Sequence, residues 1–153
     1  MMWFRVDNRL IHGQIIESWL PYTRASRLVV CSPELMADPL QQQIMLLAIP
    51  SRVKVDFVSF DGLLPLYKED SPQDKTLVLF ANCDDARIAF EAGVRFRALN
   101  IGNLHYGPGK TQVCPHVALS EEDKDCFALF GKEGVAFDFR CVPGDKTQVR
   151  GWP

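Results

Sequence analysis

Long apolar runs are missing from this sequence of 153 residues. No stretch approaches the ~20 apolar residues that a membrane-spanning helix requires. Met1-Met2-Trp3 leads directly to charge at Arg5 rather than to an apolar signal segment, which favours a cytoplasmic protein. An excess of charge is missing as well, since 17 basic and 19 acidic side chains give a formal net charge of -2. Nucleic-acid binding depends on neutralising phosphates, so we do not expect it here.

CxxC pairs are missing, although the sequence contains five cysteines. The five are Cys31, Cys83, Cys114, Cys126 and Cys141. Their odd number and wide spacing argue against a disulfide framework and favour a reducing compartment. Cys114 and His116 have the C-x-H spacing of two zinc ligands, but no second close pair accompanies them. We therefore predict no metal site and no cofactor.

Strand-like and helix-like segments alternate along the chain. Apolar runs such as Thr76 to Phe80 predict buried parallel strands. Asp38-Pro39 and Ser120 to Asp123 are typical of helix starts. No linker or internal repeat divides the sequence. We therefore predict a single α/β domain over residues 1–153, with a mostly parallel central sheet of about seven strands and about five helices.

Several boundaries follow from the same pattern. Pro21 is predicted to end the first helix. Gln112 to Ala118 is predicted to form one short strand, and Val135 to Val142 the last strand. The fifth strand is predicted at 98–101, and Gly102 is predicted to begin the loop after it. These boundaries decide which residues reach the edge of the sheet.

Ligands of open α/β sheets bind beyond the carboxyl ends of the strands, where the strand order reverses. If the first and fourth strands are neighbours, the loops after the first, fourth and fifth strands meet at one edge. That adjacency would gather a set of polar side chains on one shallow surface: Arg9, His12, Asn82, Asn103 and His105.

One histidine, His12, lies in a glycine-containing turn between the first strand and the first helix. Neutral imidazole is nucleophilic near pH 7, so this residue could carry a phosphoryl group. Backbone amides of Gly13, Gln14 and Ile15 at the start of the helix could donate to its oxygens. Arg9 could stabilise the developing charge. Asp7 could orient the other ring nitrogen, although a backbone carbonyl would also serve.

The same residues admit plainer roles. A histidine in a loop is often only a polar loop residue, and Arg5 and Arg9 could form surface ion pairs. His105 could simply pack its loop, and His116 is expected to be structural or exposed. Trp19 is expected to lie in the core.

Three segments together resemble a known family. They are Arg5-Val6-Asp7-Asn8-Arg9-Leu10-Ile11-His12-Gly13-Gln14 with Trp19 after it, Leu99-Asn100-Ile101-Gly102-Asn103-Leu104-His105-Tyr106, and Arg140-Cys141-Val142-Pro143-Gly144-Asp145-Lys146. They are similar to the mannose/fructose/sorbose-family enzyme IIB of the bacterial phosphoenolpyruvate-dependent sugar phosphotransferase system. The resemblance covers nearly the whole chain.

The resemblance implies a three-layer fold with helices on both faces of the sheet. It implies that His12 accepts a phosphoryl group on Nδ1 from a phosphohistidine of enzyme IIA. The group would then pass to a sugar bound by the membrane components IIC and IID, with the chain associated peripherally with the inner membrane. Arg9 would stabilise the transferring group, and Asp7 would help to hold the loop.

The expected site therefore has two parts. His12, Arg9 and Asp7 carry the catalytic roles, and a second set binds phosphate: Gly13, Gln14, Asn82 and Asn103. In relatives the loop after the fourth strand commonly carries a small hydroxyl residue and a proline. Here it reads Ala81-Asn82-Cys83-Asp84, so Asn82 would donate in place of the hydroxyl.

Two other functions are compatible with the same residues. One is a regulatory module that is phosphorylated on His12 and senses phosphotransfer flux without transporting sugar. The other is a passive anion-binding or scaffolding domain. The sequence does not identify the sugar, and it leaves open whether the protein is a homo-oligomer.

Overall fold

The computed structural model describes residues 1–149, which form eight β-strands and six α-helices. In chain order these are β1 (Met2–Asp7), a π-helical turn (Ile15–Trp19) continued by α1 (Leu20–Thr23), β2 (Arg27–Cys31), α2 (Pro33–Met36), α3 (Pro39–Leu46), β3 (Lys54–Val58), α4 (Phe60–Lys68), β4 (Thr76–Phe80), α5 (Cys83–Glu91), β5 (Ala98–Asn103), β6 (Thr111–Cys114), β7 (Val117–Leu119), α6 (Glu121–Lys132) and β8 (Ala136–Asp138). None of the helices in these residues is long and apolar enough to cross a bilayer.

The central sheet has six strands in the order β3-β2-β4-β1-β5-β8. Every pairing is parallel, and β1 lies between β4 and β5. The predicted adjacency of the first and fourth strands is therefore confirmed. The connection that leaves β1 runs toward β2, whereas the connection that leaves β4 runs the opposite way toward β5. The carboxyl ends of β1 and β4 thus flank the point where strand order reverses, where α/β sheets bind ligands.

Each face of the sheet has its own apolar core, because side chains alternate along a strand. Val6 of β1 faces a cluster with Phe90 of α5 and Phe130 of α6. Trp3 belongs to the opposite cluster, with Ile15 and Trp19 of the first helix. Arg5 and Asp7 alternate with Phe4 and Val6, so they share the face of Trp3. The predicted three-layer α/β fold with helices on both faces is confirmed.

Both predicted helix starts are confirmed by their caps. The side chain of Asp38 accepts a hydrogen bond from the Gln41 amide (3.1 Å) at the start of α3. Ser120 and Asp123 form a reciprocal capping box at the start of α6, with distances of 3.1 Å and 2.9 Å. These side chains satisfy amide groups that have no partner inside the helix.

The strand boundaries differ from the prediction at two places. Gln112 to Ala118 is not one strand: β6 and β7 form a separate antiparallel hairpin that turns at Pro115 and His116. The central sheet consequently has six strands rather than about seven. The last strand is three residues long, Ala136–Asp138, rather than Val135 to Val142. Beyond Asp138 the chain no longer pairs with β5, and the carbonyls of Arg140 and Cys141 accept hydrogen bonds from Arg5 instead.

Two further boundaries were also predicted incorrectly. Pro21 does not end the first helix, which continues to Thr23. Proline is tolerated near the start of an α-helical segment, where its missing amide is not needed, and Pro21 is the second residue of α1. Gly102 does not open a loop, because β5 extends through Asn103.

Candidate functional site

Three loops meet at the carboxyl edge of the sheet, and Asn8 ties them together. Its amide nitrogen donates to the carbonyl of Asn103 at the end of β5 (3.1 Å). Its Nδ2 donates to the carbonyl of Ala81 after β4 (3.0 Å), and its Oδ1 accepts from the His105 amide (2.6 Å). The expected meeting of the loops is therefore observed. Sequence reasoning assigned Asn8 no role, since its partners are more than 70 residues away in the chain.

A tight turn after β1 carries His12 to this edge. The backbone carbonyl of Asp7 accepts a hydrogen bond from the Leu10 amide (3.0 Å), and its side-chain Oδ1 accepts one from the Arg9 amide (3.0 Å). Leu10 has a φ of 55°, a left-handed conformation that is uncommon for a bulky residue. Leu10 and Ile11 are buried in the core, which leaves the next side chain at the surface. The ring of His12 is 14% exposed.

Hydrogen bonds to both ring nitrogens favour one tautomer of the neutral His12 ring. The Gln14 amide donates to Nδ1 (3.2 Å), so Nδ1 carries no proton. The proton of the neutral ring is therefore on Nε2, which donates to Asp7 Oδ2 (3.0 Å). The nitrogen with the free electron pair thus faces the start of the first helix, where backbone amides favour an anion.

Asp7 is a buried carboxylate held in its charged form. Burial alone would raise the pKa of Asp7, but the hydrogen bond from His12 and the nearby charge of Arg5 outweigh it, so the pKa lies below its usual value. Arg5 Nη2 contacts Asp7 Oδ2 at 2.9 Å, the same oxygen that faces His12. Asp7 therefore stays negative at neutral pH and orients the ring.

Arg5 is fully buried, so the alternative of a surface ion pair is wrong for this residue. Besides Asp7, its guanidinium donates to Asn100 Oδ1 (2.5 Å) and to the carbonyls of Arg140 (3.2 Å) and Cys141 (3.1 Å). It also lies over the ring of Trp19, 4.8 Å from the centroid. The expectation that Trp19 lies in the core is confirmed.

Arg9 is held beside His12 by two side-chain amides. Its Nη2 donates to Gln14 Oε1 (2.8 Å). The orientation of the Asn103 amide that satisfies its neighbours places Oδ1 at 2.9 Å from Arg9 Nε, while Nδ2 donates to the carbonyl of His116 (3.0 Å). The side chains of Gln14 and Asn103, predicted to bind phosphate, thus contact Arg9 in this structure.

The remaining predicted residues lie around this centre. Gly13 follows His12 at the start of the helix, with open space where a side chain would be. Asn82 caps α5, its Oδ1 accepting from the Asp85 amide (2.8 Å). His105 contributes its backbone amide to the loop junction, and the His116 ring lies 2.9 Å from the carbonyl of Phe139. Within residues 1–149, no group of three or more His, Cys, Asp or Glu side chains is arranged to hold a metal ion.

Open space borders the histidine on one side. A cavity of about 370 Å³ is lined by His12, Gly13 and Ile16 and, across from them, by Ile44 and Met45 of α3. It lies between the start of the first helix and α3. The site is thus shallow and open rather than a closed pocket, which suits contact with a large partner more than capture of a small molecule.

Comparison with known families gives one family for almost the entire chain. The model of the PTS system sorbose subfamily IIB component matches residues 1–150. A sorbose-specific EIIB component of Klebsiella pneumoniae is 34% identical over 144 residues, which cover 94% of this chain and 88% of that protein. A mannose-specific EIIAB component of Escherichia coli K12 is 30% identical over 142 residues, 92% of this chain and 44% of that longer protein.

Solved structures agree with this fold. The IIBSor domain of the sorbose permease from Klebsiella pneumoniae matches with a TM-score of 0.86 and 32% identity, covering 96% of this chain and 91% of that chain. An N-acetyl-galactosamine IIB component from Streptococcus pyogenes matches with a TM-score of 0.88 and 28% identity, covering 95% and 90%. The resemblance inferred from the three sequence segments is thereby confirmed.

Proposed function

Because this chain belongs to the family of PTS sorbose subfamily IIB components, we propose that it is a phosphocarrier that accepts a phosphoryl group on His12. The donor is a phosphohistidine of enzyme IIA. The acceptor is a hydroxyl group of a sugar of the mannose, fructose or sorbose class, held by the membrane components IIC and IID. The protein works in the cytoplasm and meets the inner membrane through those partners.

The hydrogen-bond geometry of the His12 ring is the observation that supports this proposal most directly. A ring with its proton on Nε2 and a free electron pair on Nδ1 is ready to attack phosphorus. The Nδ1–P bond forms as the P–N bond of the donor breaks, and the donor nitrogen keeps that electron pair. The positive charge that the ring gains is stabilised through Nε2 by Asp7.

Gln14 links a positive charge to the nitrogen that would carry the phosphoryl group, because its Oε1 accepts a hydrogen bond from Arg9 and its backbone amide donates to His12 Nδ1. Arg9 needs only to exchange Gln14 or Asn103 for a phosphoryl oxygen. The Gln14 amide, now at 3.2 Å from Nδ1, can turn to an oxygen of the group, and the amide of Gly13 is adjacent. In the second transfer a sugar hydroxyl oxygen attacks phosphorus and loses its proton, while Nδ1 recovers its electron pair.

The surface beside His12 suits a protein donor. Residues 39–50, which include α3, contain no charged side chain. Leu40, Ile44 and Leu47 follow one another at helical spacing and are 69%, 51% and 86% exposed. Ile44 also lines the cavity next to His12. Apolar side chains exposed in a row beside a reactive group are typical of a protein interface, so we place enzyme IIA on this surface.

A labelling experiment tests the proposal. The protein is incubated with phosphoenolpyruvate, enzyme I, the histidine carrier protein and enzyme IIA, and acid-labile phosphate on the chain is measured. We expect label on the wild type and none on His12→Ala, with His105→Ala as the control that keeps the label. Label on His12→Ala would move the site to another residue.

The same labelled protein separates transport from regulation. Membranes that contain IIC and IID are added with each candidate sugar. A phosphocarrier loses its label only when its sugar is present, and sugar phosphate appears in equal amount. A label that persists with every sugar would favour the regulatory module, and no label on the wild type would leave a passive anion-binding domain.

A further inference from the structure

The carboxylate of Asp7, which orients His12, also contacts the positive charge of Arg5. Arg5 Nη2 and His12 Nε2 contact the same oxygen, Asp7 Oδ2, at 2.9 Å and 3.0 Å. The side chains of Arg5 and Asp7 are both fully buried. The carboxylate therefore has one partner that is a permanent cation and another, the ring, that can gain or lose a proton.

Both terminal nitrogens of the Arg5 guanidinium are held by hydrogen bonds. Asn100 Oδ1 and the carbonyls of Arg140 and Cys141 accept its hydrogen bonds, and Trp19 stacks against it. Asn100 is held in turn, because its Nδ2 donates to Asp138 Oδ2 (3.2 Å) and to the carbonyl of Arg140 (3.0 Å). The charge cannot follow Asp7 if that carboxylate moves, so it defines where the carboxylate lies.

This arrangement is costly if it serves stability alone. Burial lowers the pKa of Arg5 despite the opposing effect of Asp7, which shows how unfavourable the site is for a cation. Arg5 Nε also has no hydrogen-bond partner among the residues that the structure describes. A buried ion pair can often be replaced by apolar side chains without loss of stability.

Without Arg5, the buried carboxylate would bind a proton or draw one onto the ring. A protonated Asp7 would donate to Nε2, which forces the ring proton onto Nδ1. A doubly protonated ring would likewise carry a proton on Nδ1. In both cases Nδ1 loses the free electron pair that attacks phosphorus.

We propose that Arg5 is a positioning residue for phosphoryl transfer, which holds Asp7 as a carboxylate and so keeps the proton of His12 on Nε2. The role rests on the proposed function of His12, but the position of the proton can be measured without any transfer. The charged or titratable groups that face Asp7 are Arg5 from β1, Arg9 and His12 from the turn, and behind Asn100 the Asp138–Arg140 pair.

The test compares wild type with Arg5→Met and Arg5→Lys. Nitrogen-15 NMR of the His12 imidazole reports which nitrogen carries the proton, and phosphotransfer from labelled enzyme IIA gives kcat and KM. For Arg5→Met at pH 7 we expect a proton on Nδ1 and a kcat about 100-fold lower, with KM unchanged. Raising the pH should restore much of the rate, and Arg5→Lys should recover part of it at pH 7.

A second comparison shows whether Arg5 acts through Asp7. Arg5→Met/Asp7→Leu removes both charges and is compared with Asp7→Leu alone. If the inference is right, the two variants transfer at equal rates within about 2-fold, because the effects are not additive. The double variant leaves no buried charge unpaired, so it can be measured even if Arg5→Met alone does not fold. In Asp7→Leu the Arg5 guanidinium keeps Asn100 Oδ1 and the carbonyls of Arg140 and Cys141 as acceptors.

Arg27→Met is the matched control. Like Arg5, Arg27 lies in a strand and forms an ion pair with an aspartate. Its Nε is 2.7 Å from Asp56 Oδ2. Arg27 is the first residue of β2, at the amino ends of the strands and so opposite to His12. The proton position on the His12 ring and the transfer rate should therefore be unchanged. An Arg5→Met protein with Nδ1 unprotonated and a wild-type kcat would overturn the inference. An unlabelled wild type would instead reject the proposed function, while the NMR result would still decide where Arg5 places the proton.

Discussion

Few of the side chains around His12 would contact a phosphoryl group directly. Most of the others fix the position of another residue of the site. Gln14 and Asn103 were predicted as phosphate ligands, but in this structure both accept hydrogen bonds from Arg9. Their first effect is to keep the guanidinium within reach of the ring. Since a guanidinium loses less freedom when its plane is already fixed, this arrangement lowers the cost of clamping a phosphoryl group.

Gly102 leaves the space that the Arg5 guanidinium occupies. A Cβ at this position would overlap the guanidinium itself, and both terminal nitrogens of the arginine are held by hydrogen bonds. We expect Gly102→Ala to lower the free energy of unfolding by about 1–3 kcal/mol, as overpacking does. We also expect it to slow phosphoryl transfer about 10-fold or more, because Arg5 is displaced from Asp7.

Urea unfolding and the transfer rate measure the two effects of Gly102→Ala. Gly131→Ala in α6 is the control, because a Cβ there meets open space. It should leave the rate unchanged and keep or slightly raise stability, since alanine favours helix more than glycine does. A Gly102→Ala protein as fast and stable as wild type would show that the space around Arg5 is not restrictive.

Among the secondary-structure elements, β1 contributes most to the site, and only part of its role could be predicted. The apolar residues and the turn after it predicted a strand that delivers His12 to the sheet edge. The burial of Arg5 could not be predicted, because its partners Asn100 and the carbonyl of Arg140 are 95 and 135 residues away. An arginine in a strand is usually exposed, and only the tertiary fold supplies the acceptors that allow its burial.

Asp85, near the start of α5, has a carboxylate whose surroundings disfavour its charged form. Burial, and then the nearby charges of Asp84 and Glu34, raise the pKa of Asp85 to about 6. A raised pKa means that the folded state binds the proton more tightly than the unfolded chain. The ionised carboxylate therefore costs stability fully above pH 6, and the cost fades as the pH falls toward 4.

Asp85→Asn should therefore be more stable than wild type at neutral pH. We expect a gain of about 1 kcal/mol at pH 7.5, less than the full shift implies because solvent screens a half-buried group. Urea unfolding at pH 7.5 and at pH 4 measures it, and at pH 4 the gain should disappear. A variant that is less stable at pH 7.5 would show that the helix start favours the charge more than burial opposes it.

Across the complete molecule, topology was more predictable than the interior of the site. The alternation of apolar strands and capped helices predicted the α/β class, the adjacency of β1 and β4 and the edge where the loops meet. The sequence did not show that residues 111–119 leave the sheet as a hairpin. Nor did it show that the segment after Asp138 turns back to contact Arg5 and Trp19, where Cys141 accepts two hydrogen bonds through its carbonyl. Such contacts depend on geometry rather than on local pattern.

The placement of the site at one edge also decides which surface a partner must cover. His12 and the exposed row Leu40, Ile44 and Leu47 lie on the same side, so a docked donor would bury that row. Leu47→Glu adds a charge that a partner would have to desolvate, while the 86% exposed side chain contributes little to folding. We expect KM for phosphorylated enzyme IIA to rise about 10-fold at unchanged kcat.

Steady-state transfer over a range of enzyme IIA concentrations measures the effect of Leu47→Glu. Ala136→Glu adds the same charge at another exposed position, the amino end of β8 at the far edge of the sheet, and should leave KM unchanged. A fall in kcat for Leu47→Glu would instead mean that the charge disturbs His12. Equal KM values for Leu47→Glu, Ala136→Glu and wild type would mean that the docked donor does not cover Leu47. The exposed row would then be available to the membrane components, since the proposed phosphocarrier would present the same nitrogen to both partners in turn.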